Sequence, residues 1–115
     1  MQYLLLIHGD ESRFSQAQDA PVNPQMQAYV AALNKAGVML GGERLKPSRA
    51  TRRVSVREGK TRVIDGPYSD TREQLGGYFL LEVADEDAAL DWAAKCPAAE
   101  HGTIEVRAIV PTPRY

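Results

Sequence analysis

Residues 63–85 read VIDGPYSDTREQLGGYFLLEVAD, and two kinds of text meet in them. From Gly76 to Ala84 the stretch is a dense apolar run, the pattern of a strand covered on both faces. The half before it gathers Asp65, Asp70, Glu73, Arg72, the hydroxyls of Tyr68, Ser69 and Thr71, and the turn residues Gly66 and Pro67 into one connection. Polar crowding of that kind either builds an elaborate turn or lines a site.

Upstream, QYLLLIHG (2–9) is a second apolar run, with Tyr3, Leu5 and Ile7 on one face and Leu4, Leu6 and His8 on the other. Residues 10–22 are polar and aperiodic and predict a loop with at most a short helical turn. NPQMQAYVAALNKAG (23–37) predicts a helix with Asn23 as cap, Pro24 in the first turn and Gly37 as stop. Its inner stripe is Met26, Tyr29, Val30 and Leu33. VMLGGERL (38–45) reads as a strand, and its paired glycines signal a bulge or a close backbone approach. RRVSVREGKTRVIDG (52–66) reads as a hairpin turning at Glu58-Gly59-Lys60. DEDAALDWAAKCP (85–97) predicts a second helix, capped by Asp85 and ended before Pro97, with Ala89, Trp92, Ala93 and Cys96 inside. TIEVRAIV (103–110) closes as an alternating strand.

At 115 residues this is one domain, 1–115. The order β-α-β-hairpin-β-α-β predicts an α+β, ferredoxin-like βαββαβ protomer with an additional β-hairpin, an antiparallel sheet carrying two helices on one face. Two helices cover one sheet face, yet strands 2–8 and 78–83 are apolar on both. A second copy is the simplest cover, so the expected state is a homodimer with its sheets facing each other.

Charge is balanced overall, net −1, but uneven. Residues 43–62 hold eight of the fourteen Lys and Arg, against Glu43 and Glu58, while residues 65–91 hold eight acids against Arg72. The basic segment suits an anion or nucleic acid, but no aromatic side chains are interleaved for base stacking, which argues against nucleic acid. No apolar run spans a bilayer, and YLLLI is too short for a secretory leader. One cysteine fits a reducing compartment, so the cytoplasm is expected. One Cys and two His do not make a structural zinc site, and no cofactor fingerprint is present: Gly41-Gly42 and Gly76-Gly77 are not a G-x-G-x-x-G.

Asp65-Gly66-Pro67-Tyr68, Thr71-Arg72-Glu73 and Leu75-Gly76-Gly77-Tyr78, with the acidic capped helix through Trp92 to Cys96-Pro97, GTIEVRAI and the opening MQYLLLIHGDE, are similar to the DGPF-motif branch of the YCII-related proteins. The resemblance covers essentially the whole chain. It implies a dimeric α/β barrel of two ferredoxin-like protomers, bacterial origin, and an association with extracytoplasmic-function sigma factors. The motif's usual Phe is Tyr68 here. Stand-alone YCII proteins are associated with a catalytic His on the first helix paired with an Asp. Helix 24–36 contains neither, so that dyad does not carry over.

The candidate acid/base groups are Asp65, at a strand end before a Gly-Pro turn, and His8, whose ordinary pKa suits proton transfer near neutrality. Asp65 equally reads as a turn residue, and His8 as a structural one. Glu43, Tyr68, Thr71, Arg72 and Glu73 are candidate ligand contacts, with Arg72 either ion-paired or an anion clamp and SDTRE either site or capped helical turn. His101 reads as incidental. No metal site is expected, because the acids and histidines are dispersed. Two functions follow: a small-molecule pocket near the DGPY loop running acid/base chemistry on a small polar substrate, or a non-enzymatic ligand-sensing or regulatory module linked to a sigma-factor pathway.

Overall fold

The computed structural model of the chain describes residues 1–14 and 23–111. Its elements are β1 (Gln2–Asp10), α1 (Glu11–Phe14), α2 (Pro24–Lys35), β2 (Met39–Arg44), β3 (Arg52–Arg57), β4 (Lys60–Asp65), β5 (Glu73–Glu82), α3 (Glu86–Lys95) and β6 (Thr103–Ala108). Short 3-10 turns occupy Ser48–Ala50 and Pro97–Glu100. The loop expected over 10–22 begins as α1, and its remainder lies outside the described residues.

The main sheet runs β2-β5-β1-β6, antiparallel throughout, while β3 and β4 form a separate ribbon. This is the ferredoxin-like arrangement with an additional hairpin. Tyr3, Leu5, Phe79, Leu81 and Val83 from the sheet meet Tyr29 and Leu33 of α2 and Ala89 and Ala93 of α3, so both long helices lie on one sheet face. Met26, Val30 and Trp92 complete the packing at its rim.

The ends of both helices obey the sequence. The Asn23 side chain accepts from Met26 N at 2.8 Å and the Asp85 carboxylate accepts from Ala88 N at 2.9 Å, each satisfying a donor the helix cannot. The Tyr29 hydroxyl donates to the Trp92 carbonyl at 2.7 Å, and its ring meets Phe79 and Trp92 edge-on at 5.6 and 6.2 Å. One side chain thereby ties α2 to both the sheet and α3. Burial pushes the Tyr29 phenol and the Cys96 thiol up, so both stay neutral in the core.

Several boundaries differ from the sequence reading. β5 starts at Glu73, so SDTRE is not a capped helical turn: the Thr71 hydroxyl donates to the Glu73 carbonyl at 2.7 Å and the chain runs straight into the ladder. Pairing with β1 outweighs the local capping pattern. The hairpin turns on Glu58-Gly59 alone, both at positive φ (52° and 73°), a two-residue geometry whose twist matches the strands, and Lys60 already belongs to β4. β6 ends at Ala108 rather than Val110. Among the described residues no helix is long and apolar enough to cross a membrane.

The paired glycines of β2 do both things glycine pairs do. The register with β5 shifts between Met39 and Gly41, a bulge. A Cβ on Gly42 would sit 2.6 Å from the Phe79 ring and 2.9 Å from the Tyr78 carbonyl, whereas one on Gly41 would meet nothing within 4 Å. Gly42→Ala is therefore expected to destabilise the fold by about 1–3 kcal/mol. Gly41→Ala should stay within about 0.5 kcal/mol of the parent. Urea denaturation of both variants checks this contrast between adjacent positions, and equal effects would contradict it.

Candidate functional site

The β1–β5 ladder contains one irregularity, between Ile7 and His8: Ile7 faces Gly77 and His8 faces Leu75, leaving Gly76 as the extra residue. The bulge resets the phase of β5. Below it Gln74 turns inward and is buried; above it Phe79 and Leu81 do. His8 stays on the face of Leu4 and Leu6, the face that neither long helix covers, as its bond to Glu105 requires.

Gln74 fastens the polar loop. Its buried amide Nε2 donates to the carbonyls of Ser69 and Thr71 at 2.7 and 2.8 Å, so the segment after Pro67 is curled over a single side chain. Glutamine suits the task because one NH2 group carries two donors. Opposite this loop, segment 45–51 is held by Glu11, whose carboxylate accepts from the Ser48 backbone N at 2.5 Å and from the Ser48 hydroxyl.

Between the two loops lies a cavity of about 520 Å³. His8, Leu75, Lys46, Ser48, Tyr68 and Thr71 contribute to its wall, with Glu73 and Gln74 beside them, and no residue of α2 or α3 lines it. Of the residues singled out from sequence, His8, Tyr68, Thr71 and Glu73 meet here. Tyr68 is 92% exposed, and Glu73 accepts from the Thr103 hydroxyl at 2.9 Å. The other three lie elsewhere. Asp65 is paired across the hairpin with Arg52 at 3.3 Å, and His8 is paired with Glu105. Arg72 is ion-paired: its Nε meets Asp10 Oδ2 at 3.1 Å. Glu43 borders a second cavity of about 840 Å³, between the sheet end and α2, which His8 also touches.

The sequence reading missed the partner of His8. Its Nε2 stands 3.1 Å from Glu105 Oε1, and Arg107 Nη2 donates to Glu105 Oε2 at 2.8 Å. The hydrogen bond from His8, then that from Arg107, holds the Glu105 carboxyl below its usual range. An ionised carboxylate only accepts, so Nε2 carries a proton, and in the neutral ring Nδ1 is then the acceptor. The signal was in the alternation of TIEVRA, which places Glu105 on the same face as Leu6. Only the antiparallel order of β1 and β6 brings it to His8. Among the described residues no group of three or more His, Cys, Asp or Glu side chains is placed to hold a metal ion.

A ferredoxin-like chain of this form, with a bulged central strand and a looped polar pocket, matches the YCII-related domain over residues 1–113, and the chain belongs to that family. It is 35% identical over 112 residues to an uncharacterized protein of Rhizobium meliloti (strain 1021), covering 93% of this chain and 90% of that one.

The Asp10–Arg72 pair, outside the cavity wall, carries a titration signature. The Ser12 hydroxyl and backbone N bond the Asp10 carboxylate, and with Arg72 they pull its pKa down to about 2 from 3.8. Because the folded value is the lower one, the stabilisation is present above pH 3.8 and is lost as pH falls through about 2. Carbon-detected NMR should show Asp10 titrating near pH 2, and Ser12→Ala should move it upward toward the ordinary range, since the Ser12 hydroxyl is the largest cause. An Asp10 midpoint near 4 in the parent protein would contradict the geometry.

Proposed function

We propose that this protein, a member of the DGPF-motif branch by its Asp65-Gly66-Pro67-Tyr68 loop, is a cytoplasmic homodimer that binds a small polar molecule beside that loop and transfers a proton on it. The reading rests on one observation: a histidine oriented by a carboxylate lines a cavity walled by the polar loop.

The chemistry follows from the tautomer. Nδ1 of His8 takes a proton from the bound molecule or from a water beside it. Glu105, already ionised and steadied by Arg107, stabilises the imidazolium that forms. Ser48, Thr71 and the Tyr68 hydroxyl supply donors and acceptors to orient a polar substrate. The apolar second sheet face, with Leu4, Leu6, Tyr78 and Leu80, supports dimerisation, because a patch left in water is costly. The cavity opens beside that face, so the partner copy would lie near its rim.

The test is a fragment screen read by NMR, followed by turnover assays on the fragments that bind. Binding should shift the resonances of His8, Tyr68 and Thr71 together. His8→Gln should lower turnover by about 100-fold or more and Glu105→Gln by a smaller factor, with melting temperatures near the parent's. Fragments that bind only elsewhere would sink the site. Fragments that bind here without any turnover would leave a ligand sensor in place of an enzyme.

A further inference from the structure

Most polar groups around the 520 Å³ cavity are already engaged. The Ser48 hydroxyl donates to Glu11 and the Thr71 hydroxyl to the Glu73 carbonyl, so each has only lone pairs left to offer. Both amide hydrogens of Gln74 are spent on the Ser69 and Thr71 carbonyls. The Glu73 carboxylate accepts from the Thr103 hydroxyl, and Thr103 lies outside the cavity wall. Asp10 is held by Arg72, and both Glu11 oxygens by Ser48. Lys46 is the exception. It is the single Lys or Arg of the wall, and among the described residues its ammonium meets no carboxylate and no hydrogen-bond acceptor. The hydroxyls of Thr51, Tyr68 and Ser69, in the same wall, likewise have no hydrogen-bond partner among the described residues.

A wall whose spare groups are one cation and a set of hydroxyl donors suits an anion, because hydrogen bonds to an ionised acceptor are the strong ones. The kind of anion follows from what is absent. An ammonium is a point charge without the fork that grips a phosphate, and neither α2 nor α3 contributes a residue to the wall, so no helix N-terminus is there to share a second charge. A single negative charge is what Lys46 balances. Leu45, Pro47, Ala50, Pro67 and Leu75 supply apolar wall for the uncharged remainder of the molecule. The volume lies in the range of about 300–1,000 Å³ in which small organic ligands are held. We propose that the ligand of this cavity is a small organic carboxylate and that Lys46 selects it by holding its charge. The proposal rests on the reading above that a small molecule binds beside the Asp65-Gly66-Pro67-Tyr68 loop, and it names the chemical class of that molecule.

NMR titration of the full chain tests it, with butyrate and benzoate, their neutral amides butyramide and benzamide, and inorganic phosphate as probes. Each acid should shift the resonances of Tyr68 and Thr71 and bind about tenfold or more tightly than its amide. Lys46 is exposed, so Lys46→Met should melt with the parent; it should abolish the preference for the acids while leaving the amides' affinity unchanged, and Lys46→Arg should keep the preference. Acids and amides that bind equally, or a preference that survives Lys46→Met, would overturn the assignment. Phosphate binding more tightly than either acid would overturn it in favour of a phosphate ligand. Acids that shift Met26 and Val30 in place of Tyr68 and Thr71 would put the anion in the second cavity, which Lys46 also borders, and overturn it as well. If no acid moves these resonances while neutral members of the fragment screen do, the carboxylate falls and the pocket stands. If nothing in either set moves them, the pocket falls too.

Discussion

The extra residue at Gly76 is the constraint on which the site depends. A strand without it would carry one alternation from Glu73 to Glu82. Gln74 would then share the outer face with Tyr78 and Leu80, and nothing inside would hold the loop. With the bulge, one strand buries Phe79 and Leu81 against the helices and also buries Gln74 under the Ser69 and Thr71 carbonyls. Glycine suits the place, because its neighbour Gly77 runs so close to β2 that a Cβ there would lie 2.9 Å from the Glu43 carbonyl. Core packing and loop anchoring thus share a strand without competing for a face.

The same economy appears on the other side of β1, at the same end of the sheet. A side chain on Gly102 would overlap the His8 carbonyl, so the entry to β6 is pressed against the end of β1. That contact fixes the distance between the two strands where His8 and Glu105 meet. Tyr29 does the equivalent work on the helix side, where its hydroxyl and ring join three elements at once. The pocket is therefore mounted on paired strands, with its two loops, 45–51 and 66–72, fastened by Glu11 and Gln74.

Much of the architecture was legible because it is written in periodicity and punctuation. Asn23, Pro24 and Asp85 mark helix starts by the chemistry of unpaired N–H groups, and the two apolar runs mark central strands. The turn at Glu58-Gly59 was visible from its glycine, although its length was not. The site was legible in part. The polar loop and His8 could be singled out as residue types out of place, but pairing depends on which strands are neighbours and in what register. Asp65 looked available and is paired with Arg52; Glu105 looked like a surface alternation and is the partner of His8. Gln74, an ordinary polar residue between Glu73 and Leu75, gave no local sign that it would be buried.

The sheet order also sets the sequence of events during synthesis. β1 occupies the middle of the sheet, yet its neighbours β5 and β6 are the last two strands of the chain, with Gln2 meeting Glu82 and Tyr3 meeting Ala108. At about 5–20 residues per second, the run of Leu4 to Ile7 waits roughly 4–15 seconds for its first partner strand to be made. Among the described residues no local hairpin shelters it in the meantime, since the one adjacent-strand hairpin there, β3–β4, pairs with itself. A strand that ends up at the centre of the sheet is thus made first and paired last, which puts its closure among the long-range, slow contacts of the fold.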